Sequence, residues 1–101
     1  MGDERNGYTQ IIPVFPLKTY VFRLWAKGVN GGEAGRLQIN WLNIERKMMD
    51  VFVKVFTATP MFVQYSARVT VPSGAAFAEI YVSSSTEHDK IWYDDYSLVK
   101  E

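Results

Sequence analysis

The sequence predicts an all-β protein, an antiparallel β-sandwich of the jelly-roll type with about seven strands. Residues 75–83 show the period-2 pattern of a strand with one buried face and one wet face. Similar alternating runs recur at regular spacing along the chain, and turn residues separate them. No segment shows a convincing helical pattern, so the strands must supply the whole core.

Length and composition predict one folded domain over residues 1–101. A chain of 101 residues can bury a single core, and a hydrophobic fraction of 48% argues against disorder. The 11 basic and 11 acidic residues cancel, so the chain lacks the positive charge that binding to a phosphate backbone demands. We therefore expect no nucleic-acid partner.

The N-terminal segment and the apolar runs bear on targeting. Residues 1–7 are polar, which predicts a flexible terminus rather than a signal peptide. No apolar run approaches the roughly 20 residues that span a bilayer, so we expect no membrane partner. The chain has no cysteine, which removes disulfides and thiolate metal sites and leaves the cellular compartment open.

The first two predicted strands cover residues 8–15 and 19–27. Pro13 and Pro16 cannot donate to a central ladder, so the first strand lies at a sheet edge or ends there. The second strand alternates cleanly between two faces. Its predicted core face carries Tyr20, Phe22, Leu24 and Ala26, and its wet face carries Val21, Arg23, Trp25 and Lys27.

The middle of the chain supplies a loop and three strands. Residues 28–35 contain four glycines and indicate a flexible loop that could close over a ligand. Residues 51–56 form a β-branched run, and residues 61–71 alternate again. The strand at residues 36–43 places Leu37, Ile39 and Trp41 toward the core and Gln38 and Asn40 toward solvent.

Two further strands, residues 75–83 and 91–98, close the chain. The first of them presents Glu79 and Tyr81 on its wet face, and the alternating set Ala76, Ala78, Ile80 and Val82 on its other face. Strict alternation in the second places Tyr93 on the wet face. The same alternation places Trp92, Asp94, Tyr96 and Leu98 on the core face.

These segments, in this order, resemble the jelly-roll carbohydrate-binding modules of families 4, 9 and 22. The resemblance rests on the turn at residues 72–75, the alternating strand after it, and the aromatic-Asp-Asp run that ends in Ser97 and Leu98. Residues 9–27 add a glutamine-led strand, a turn and a tyrosine-led strand. The chain is similar to the later two-thirds of such a module, which implies binding of a polysaccharide without catalysis.

The residues themselves also argue against an enzyme. The single histidine, His88, lies in a polar loop and has no evident nucleophile to activate. Zinc is disfavoured because carboxylates would be its main ligands. Glycoside hydrolysis needs two carboxylates across a cleft, and the neighbours Asp94 and Asp95 point to opposite faces of their strand.

Asp94 has two competing interpretations. The resemblance implies a structural calcium ion, because an aspartate of the last strand often helps to hold calcium in those modules. Calcium accepts mixed carboxylate and backbone oxygens. The alternative is a buried Asp94 that accepts hydrogen bonds from backbone N–H groups, with no cofactor required.

Sugar recognition combines aromatic faces with planar polar side chains. If the strands neighbour one another as in the resembled fold, their wet faces form one concave surface for a poly- or oligosaccharide. That predicted site comprises Arg23, Trp25, Gln38, Asn40, Glu79, Tyr81 and Tyr93. The location would be extracellular if the chain belongs to a secreted enzyme.

A structural or assembly domain, such as a component of a surface or of a phage particle, is the alternative function. It would use the same face or an open strand edge for contact with another protein. Because an exposed edge invites pairing with a second copy, a homodimer is predicted under either hypothesis.

Overall fold

A computed structural model describes residues 9–84 and 91–101 and shows seven strands within them. The loop that contains His88 lies outside the described residues, as do residues 1–7. The strands are β1 (Thr9–Pro13), β2 (Thr19–Gly28), β3 (Ala34–Leu42), β4 (Met48–Thr57), β5 (Val63–Thr70), β6 (Phe77–Ser84) and β7 (Ile91–Lys100).

The strands form two antiparallel sheets. One has four strands in the order β1-β6-β3-β4, and the other has three in the order β5-β2-β7. The predicted all-β sandwich is therefore confirmed. The proline-bracketed first strand lies at a sheet edge, as its missing N–H donors require. The part of the chain that the structure describes contains no helix that is long and apolar enough to cross a membrane.

The core lies between the sheets and is built by alternation. The predicted inward residues of β2, β3 and β6 are all buried, including Phe22, Ile39 and Ile80. Trp41 is also buried, as predicted. Burial of a large apolar side chain stabilises the fold by about 1.5–3 kcal/mol, so these three strands carry much of the driving force.

The edge strands β4 and β5 belong to different sheets and contact each other through side chains rather than through backbone strand pairing. The ammonium of Lys54 donates to the Ser66 carbonyl at 3.0 Å, and the Tyr65 hydroxyl donates to the Thr57 carbonyl at 3.0 Å. The rings of Phe56 and Tyr65 are tilted, with centroids 4.4 Å apart. These contacts close that side of the sandwich and place an inward-pointing cation on an edge strand.

The loop between β2 and β3 is held by Glu33, whose side chain is buried. Its Oε2 accepts the backbone N–H of Asn30 at 2.8 Å, and its carbonyl accepts the N–H of Ala58 at 2.8 Å. Gly28 makes room for this carboxylate, because a Cβ there would lie 1.9 Å from Glu33 Oε1. The glycines predicted a flexible loop, whereas the structure ties the loop to the neighbouring segment.

A β-bulge in β7 overturns the predicted alternation of the last strand. The β2 partners of β7 change register between Arg23, which pairs with Ser97, and Trp25, which pairs with Asp94. One residue of β2, between Arg23 and Trp25, thus opposes two of β7, and the extra residue reverses which side chains point inward.

The predicted orientations before the bulge are therefore wrong. Tyr93 is 1% exposed and belongs to the core, although alternation placed it on the wet face. Trp92 is 38% exposed rather than buried. Asp94 lies opposite Trp25 on the outer face instead of the core side. Leu98, after the bulge, packs against the core as predicted.

Candidate functional site

The outer face of the four-stranded sheet carries a row of polar side chains, here called the ladder face. Antiparallel neighbours that lie opposite each other share a face, so the register defines its members. The centre comes from β3 with Arg36, Gln38 and Asn40, flanked by Ser83, Tyr81 and Glu79 on β6 and by Val55, Val53 and Val51 on β4.

Hydrogen bonds connect the middle of the ladder face. Gln38 Nε2 donates to Asn40 Oδ1 at 2.9 Å, and Asn40 Nδ2 donates to Glu79 Oε1 at 3.1 Å. Asn40 is only 8% exposed, so its amide is satisfied by these neighbours rather than by water. The chain of bonds fixes both amide planes and leaves further donor and acceptor sites of Gln38 and Glu79 for a ligand.

A shallow depression of about 250 Å³ lies over this ladder. Its lining comprises Arg36, Gln38, Asn40, Tyr81 and Ser83. Tyr81 is 37% exposed and offers a ring surface beside the amides. The guanidinium of Arg36 adds fixed donors, and hydroxyl and amide groups complete a lining suited to a polyhydroxylated ligand.

Four of the seven predicted ligand residues are brought together here. Gln38, Asn40, Glu79 and Tyr81 occupy adjacent rows of β3 and β6. Sequence reasoning missed Arg36 and Ser83, which complete the depression. Arg36 precedes Gln38 by two residues, so the same alternation could have revealed it.

The other three predicted residues do not join this site. Arg23 and Trp25 lie on β2, which belongs to the other sheet, so the single concave surface predicted from all the wet faces is wrong. Strand neighbours cannot be deduced from alternation, because both sheets obey the same period.

Tyr93 stands between the sheets instead of on a surface. Its hydroxyl donates to the Ser83 carbonyl at 2.6 Å, and its ring makes an edge contact with Phe56. Burial raises the pKa of the Tyr93 phenol, and the Arg36 backbone offsets part of that effect. Tyr93 therefore supports the depression from beneath through the β6 strand.

The outer face of the three-stranded sheet, here called the tryptophan face, has a different chemistry. Trp25 is 40% exposed, and Trp92 lies diagonally across from it on β7. Lys27 pairs with Trp92, and its ammonium lies 5.1 Å from the centroid of the Phe62 ring. Arg23 occupies the next outward row of β2.

Asp94 was the predicted calcium ligand. It is half-buried on the tryptophan face, opposite Trp25. Within residues 9–84 and 91–101, no group of three or more His, Cys, Asp or Glu side chains could hold a metal ion. The calcium site stays a prediction that rests on the resemblance.

The fold itself can be compared with solved structures. No protein-family model and no curated protein matches the sequence. A family 4 carbohydrate-binding module is 17% identical over 95% of the chain, with a TM-score of 0.75. The chain has the fold of the jelly-roll carbohydrate-binding modules.

Two longer proteins contain the same fold. The enzymatically active domain of tailspike protein 4 from bacteriophage CBA120 is 22% identical over 95% of the chain, with a TM-score of 0.78. The Clostridium thermocellum xylanase 10B structure, a family 22 module with its catalytic module in complex with xylohexaose, is 17% identical over 87%, with a TM-score of 0.67. The chain spans 61% of the family 4 module and 14% and 17% of these two.

Proposed function

We propose that this chain is a non-catalytic carbohydrate-binding module that binds a poly- or oligosaccharide on the ladder face. The observation that carries the proposal is the hydrogen-bonded row of Gln38, Asn40 and Glu79 along the depression. A preorganised row loses little conformational entropy when a ligand binds. The fold shared with carbohydrate-binding modules supports the same function.

The chemistry of the face matches that of a sugar chain. Hydroxyl groups of a pyranose can each donate and accept, and the fixed amides and carboxylate of the ladder offer both partners. The Tyr81 ring and the valine row of β4 supply apolar surface for the C–H side of the sugar. The exposed Arg36 guanidinium can bond to ring and hydroxyl oxygens.

The carboxylates on this face support a binding role without hydrolysis. Glycoside hydrolysis uses two carboxyl groups about 5–9.5 Å apart across the scissile bond. Among the described residues, Glu79 is the carboxylate that the register places on the ladder face, and its Oε1 already accepts a hydrogen bond from Asn40. A module of this kind would raise the local concentration of an attached catalyst by tethering, and it would act outside the cell, where polysaccharide is found.

The test is calorimetric titration with xylohexaose and cellohexaose as first probes, followed by a panel of soluble polysaccharides. Tyr81→Ala and Gln38→Ala should each weaken binding about tenfold, the loss of roughly 1.4 kcal/mol of contacts. Trp25→Ala is the matched control, because it removes a similarly exposed aromatic from the opposite face. Binding that survives Tyr81→Ala but is lost in Trp25→Ala would show that the ladder face is the wrong surface.

Among the edge strands of the two described sheets, β4 is a candidate for the predicted homodimer contact. Strand β4 pairs only with β3 among the described strands and exposes Val51, Val53 and Val55. Lys54 points inward from the same strand and disfavours edge pairing. Mass in solution at increasing concentration tests the dimer, and a strict monomer would indicate that this edge stays unpaired.

The proposed calcium site at Asp94 has a direct test. Calcium that binds only the folded state raises the melting temperature by mass action. We expect millimolar calcium to raise it in the parent and not in Asp94→Asn. An equal response in both chains, or none in the parent, would show that Asp94 does not hold a calcium ion.

A further inference from the structure

We propose that the tryptophan face is a second, separate binding site, and that it takes an oligosaccharide carrying carboxylate groups. Its chemistry differs from that of the ladder face, and the two sites lie on opposite sides of the sandwich. The proposal does not depend on ligand binding at the ladder face.

The register brings the two exposed tryptophans together. Trp25 lies directly opposite Asp94, and Trp92 is two residues before Asp94 on the same strand. Diagonal neighbours of this kind are about 7–8 Å apart, within reach of aromatic side chains. Both indoles therefore lie on the outer surface at this end of the sheet, and together they are here called the platform.

The platform remains accessible in the described structure. Trp25 and Trp92 keep 40% and 38% of their surfaces exposed, although each could have been buried by a core-facing register. Phe62, which is also exposed, extends the aromatic surface beyond Lys27. Large exposed aromatics in one patch mark a binding surface more often than an inert one.

Charge decides which ligand the platform fits. The outward rows of β2 carry Arg23 and Lys27, and neither belongs to the ion pairs recorded among the described residues, Lys47–Glu45 and Arg68–Glu101. Lys27 is held over the Phe62 ring, so its charge stays at the platform. Asp94 lies on the same face, so the two cations of β2 leave an excess of one positive charge around the tryptophans, although the whole chain is neutral.

A uronic acid matches this arrangement in both of its parts. The C–H face of the sugar stacks on an indole, and its carboxylate forms charge-assisted hydrogen bonds with a guanidinium. Arg23 and Trp25 lie two residues apart on one strand, about 7 Å along the sheet. Asp94 lies beside Trp25, and its carboxylate can accept hydrogen bonds from sugar hydroxyls.

The experiment uses the full chain, with trigalacturonate as the probe and neutral α-1,4-galactotriose as its uncharged counterpart. Acrylamide quenching of tryptophan fluorescence reports on Trp25 and Trp92, while the buried Trp41 supplies an internal reference. We expect trigalacturonate to protect the exposed tryptophans saturably and to bind at least tenfold more tightly than the neutral sugar. Salt at about 0.5 M should weaken the charged ligand, because it screens exposed charges.

Three variants locate the effect. Trp25→Ala should abolish protection, and Arg23→Gln should weaken binding roughly tenfold through loss of the charge-assisted bonds. Tyr81→Ala on the ladder face should leave trigalacturonate binding unchanged. If Trp25→Ala does not fold by circular dichroism, Trp92→Ala and Arg23→Gln carry the test.

Several results would overturn the proposal. Equal binding of the two sugars, unaffected by Arg23→Gln, would remove the anionic specificity. Loss of binding in Tyr81→Ala would assign the sugar to the ladder face. Protection that grows with protein concentration, without sugar, would identify the tryptophan face as a contact between copies. Failure of xylohexaose at the ladder face would be separate, because it is measured with a neutral ligand and with different variants.

Discussion

The two outer faces of this sandwich carry side chains of different chemistry, although they belong to one fold. On the ladder face, polar side chains bond to one another and line a depression. On the tryptophan face, indoles and cations are exposed and the register sets them side by side. Both faces rest on the same core. Because inward and outward residues alternate, each outer face can change its chemistry without altering the packing beneath it.

The largest expected effect comes from a residue that both faces need. Phe22 is 0% exposed and lies at the centre of the core. Phe22→Ala should lower the free energy of unfolding by about 3–5 kcal/mol, because it leaves a cavity that the sheets cannot close. Urea denaturation measures this loss, with the 52% exposed Val99→Ala as control. Similar losses for the two variants would contradict a shared core as the support of both faces.

A smaller change should separate the faces. Asn40→Leu replaces a nearly buried amide, so Gln38 loses the hydrogen-bond acceptor and Glu79 the donor that Asn40 supplies. We expect a loss of about 1–3 kcal/mol in unfolding free energy. Quenching of the exposed tryptophans should stay at the parent value. A change in that quenching would show that the faces are coupled through the core.

Tyr93 joins the sheets and makes their contact sensitive to pH. Burial raises the pKa of its phenol above the value near 10 that an unfolded chain has, so the folded state favours the neutral form. The contribution of this group is fully present below about pH 10 and is lost as the pH rises toward the folded pKa. Tyr93→Phe should cost about 0.5–1.5 kcal/mol at neutral pH through the lost bond to Ser83.

The measurement for Tyr93 is stability against pH. The parent should lose stability more steeply than Tyr93→Phe between about pH 10 and 12. The half-buried phenol of Tyr65, whose pKa is also raised by desolvation, remains in both chains. Parallel curves for the two chains would show that Tyr93 ionises in the folded protein as easily as in the unfolded one.

The smallest effect is expected at the rim of the tryptophan face. Arg68 and Glu101 form an ion pair there, and both side chains are largely exposed. Exposed pairs of this kind contribute about 0–1 kcal/mol and are screened by salt. Arg68→Gln should therefore change the melting temperature by no more than a few degrees, whereas a large loss would show that the pair anchors the chain end to β5.

Sequence reasoning succeeded where a strand is regular. For β2, β3 and β6 the alternation identified the buried residues correctly, from Phe22 and Ile39 to Ile80. It failed in β7, because one inserted residue reverses every side chain before it and leaves no mark in the hydrophobic pattern. For that reason Tyr93 lies in the core and Trp92 lies on the outer face, the reverse of the prediction.

The candidate site shows the same division. Gln38, Asn40, Glu79 and Tyr81 were predicted together because their strands share a period, and β3 and β6 are indeed neighbours. Arg23 and Trp25 share that period as well, but β2 pairs with β5 and β7. A period describes which way a residue points relative to its own strand, and says nothing about the partner strand.

The sequence by itself determined the class of fold and the separation of core from surface in the regular strands. These properties depend on local chemistry, on alternation and turn residues. Only the tertiary structure decided the order of strands, the bulge of β7, and the existence of two faces in place of one. Those depend on pairing between distant segments, whose free energy is set by how both sheets bury a common core.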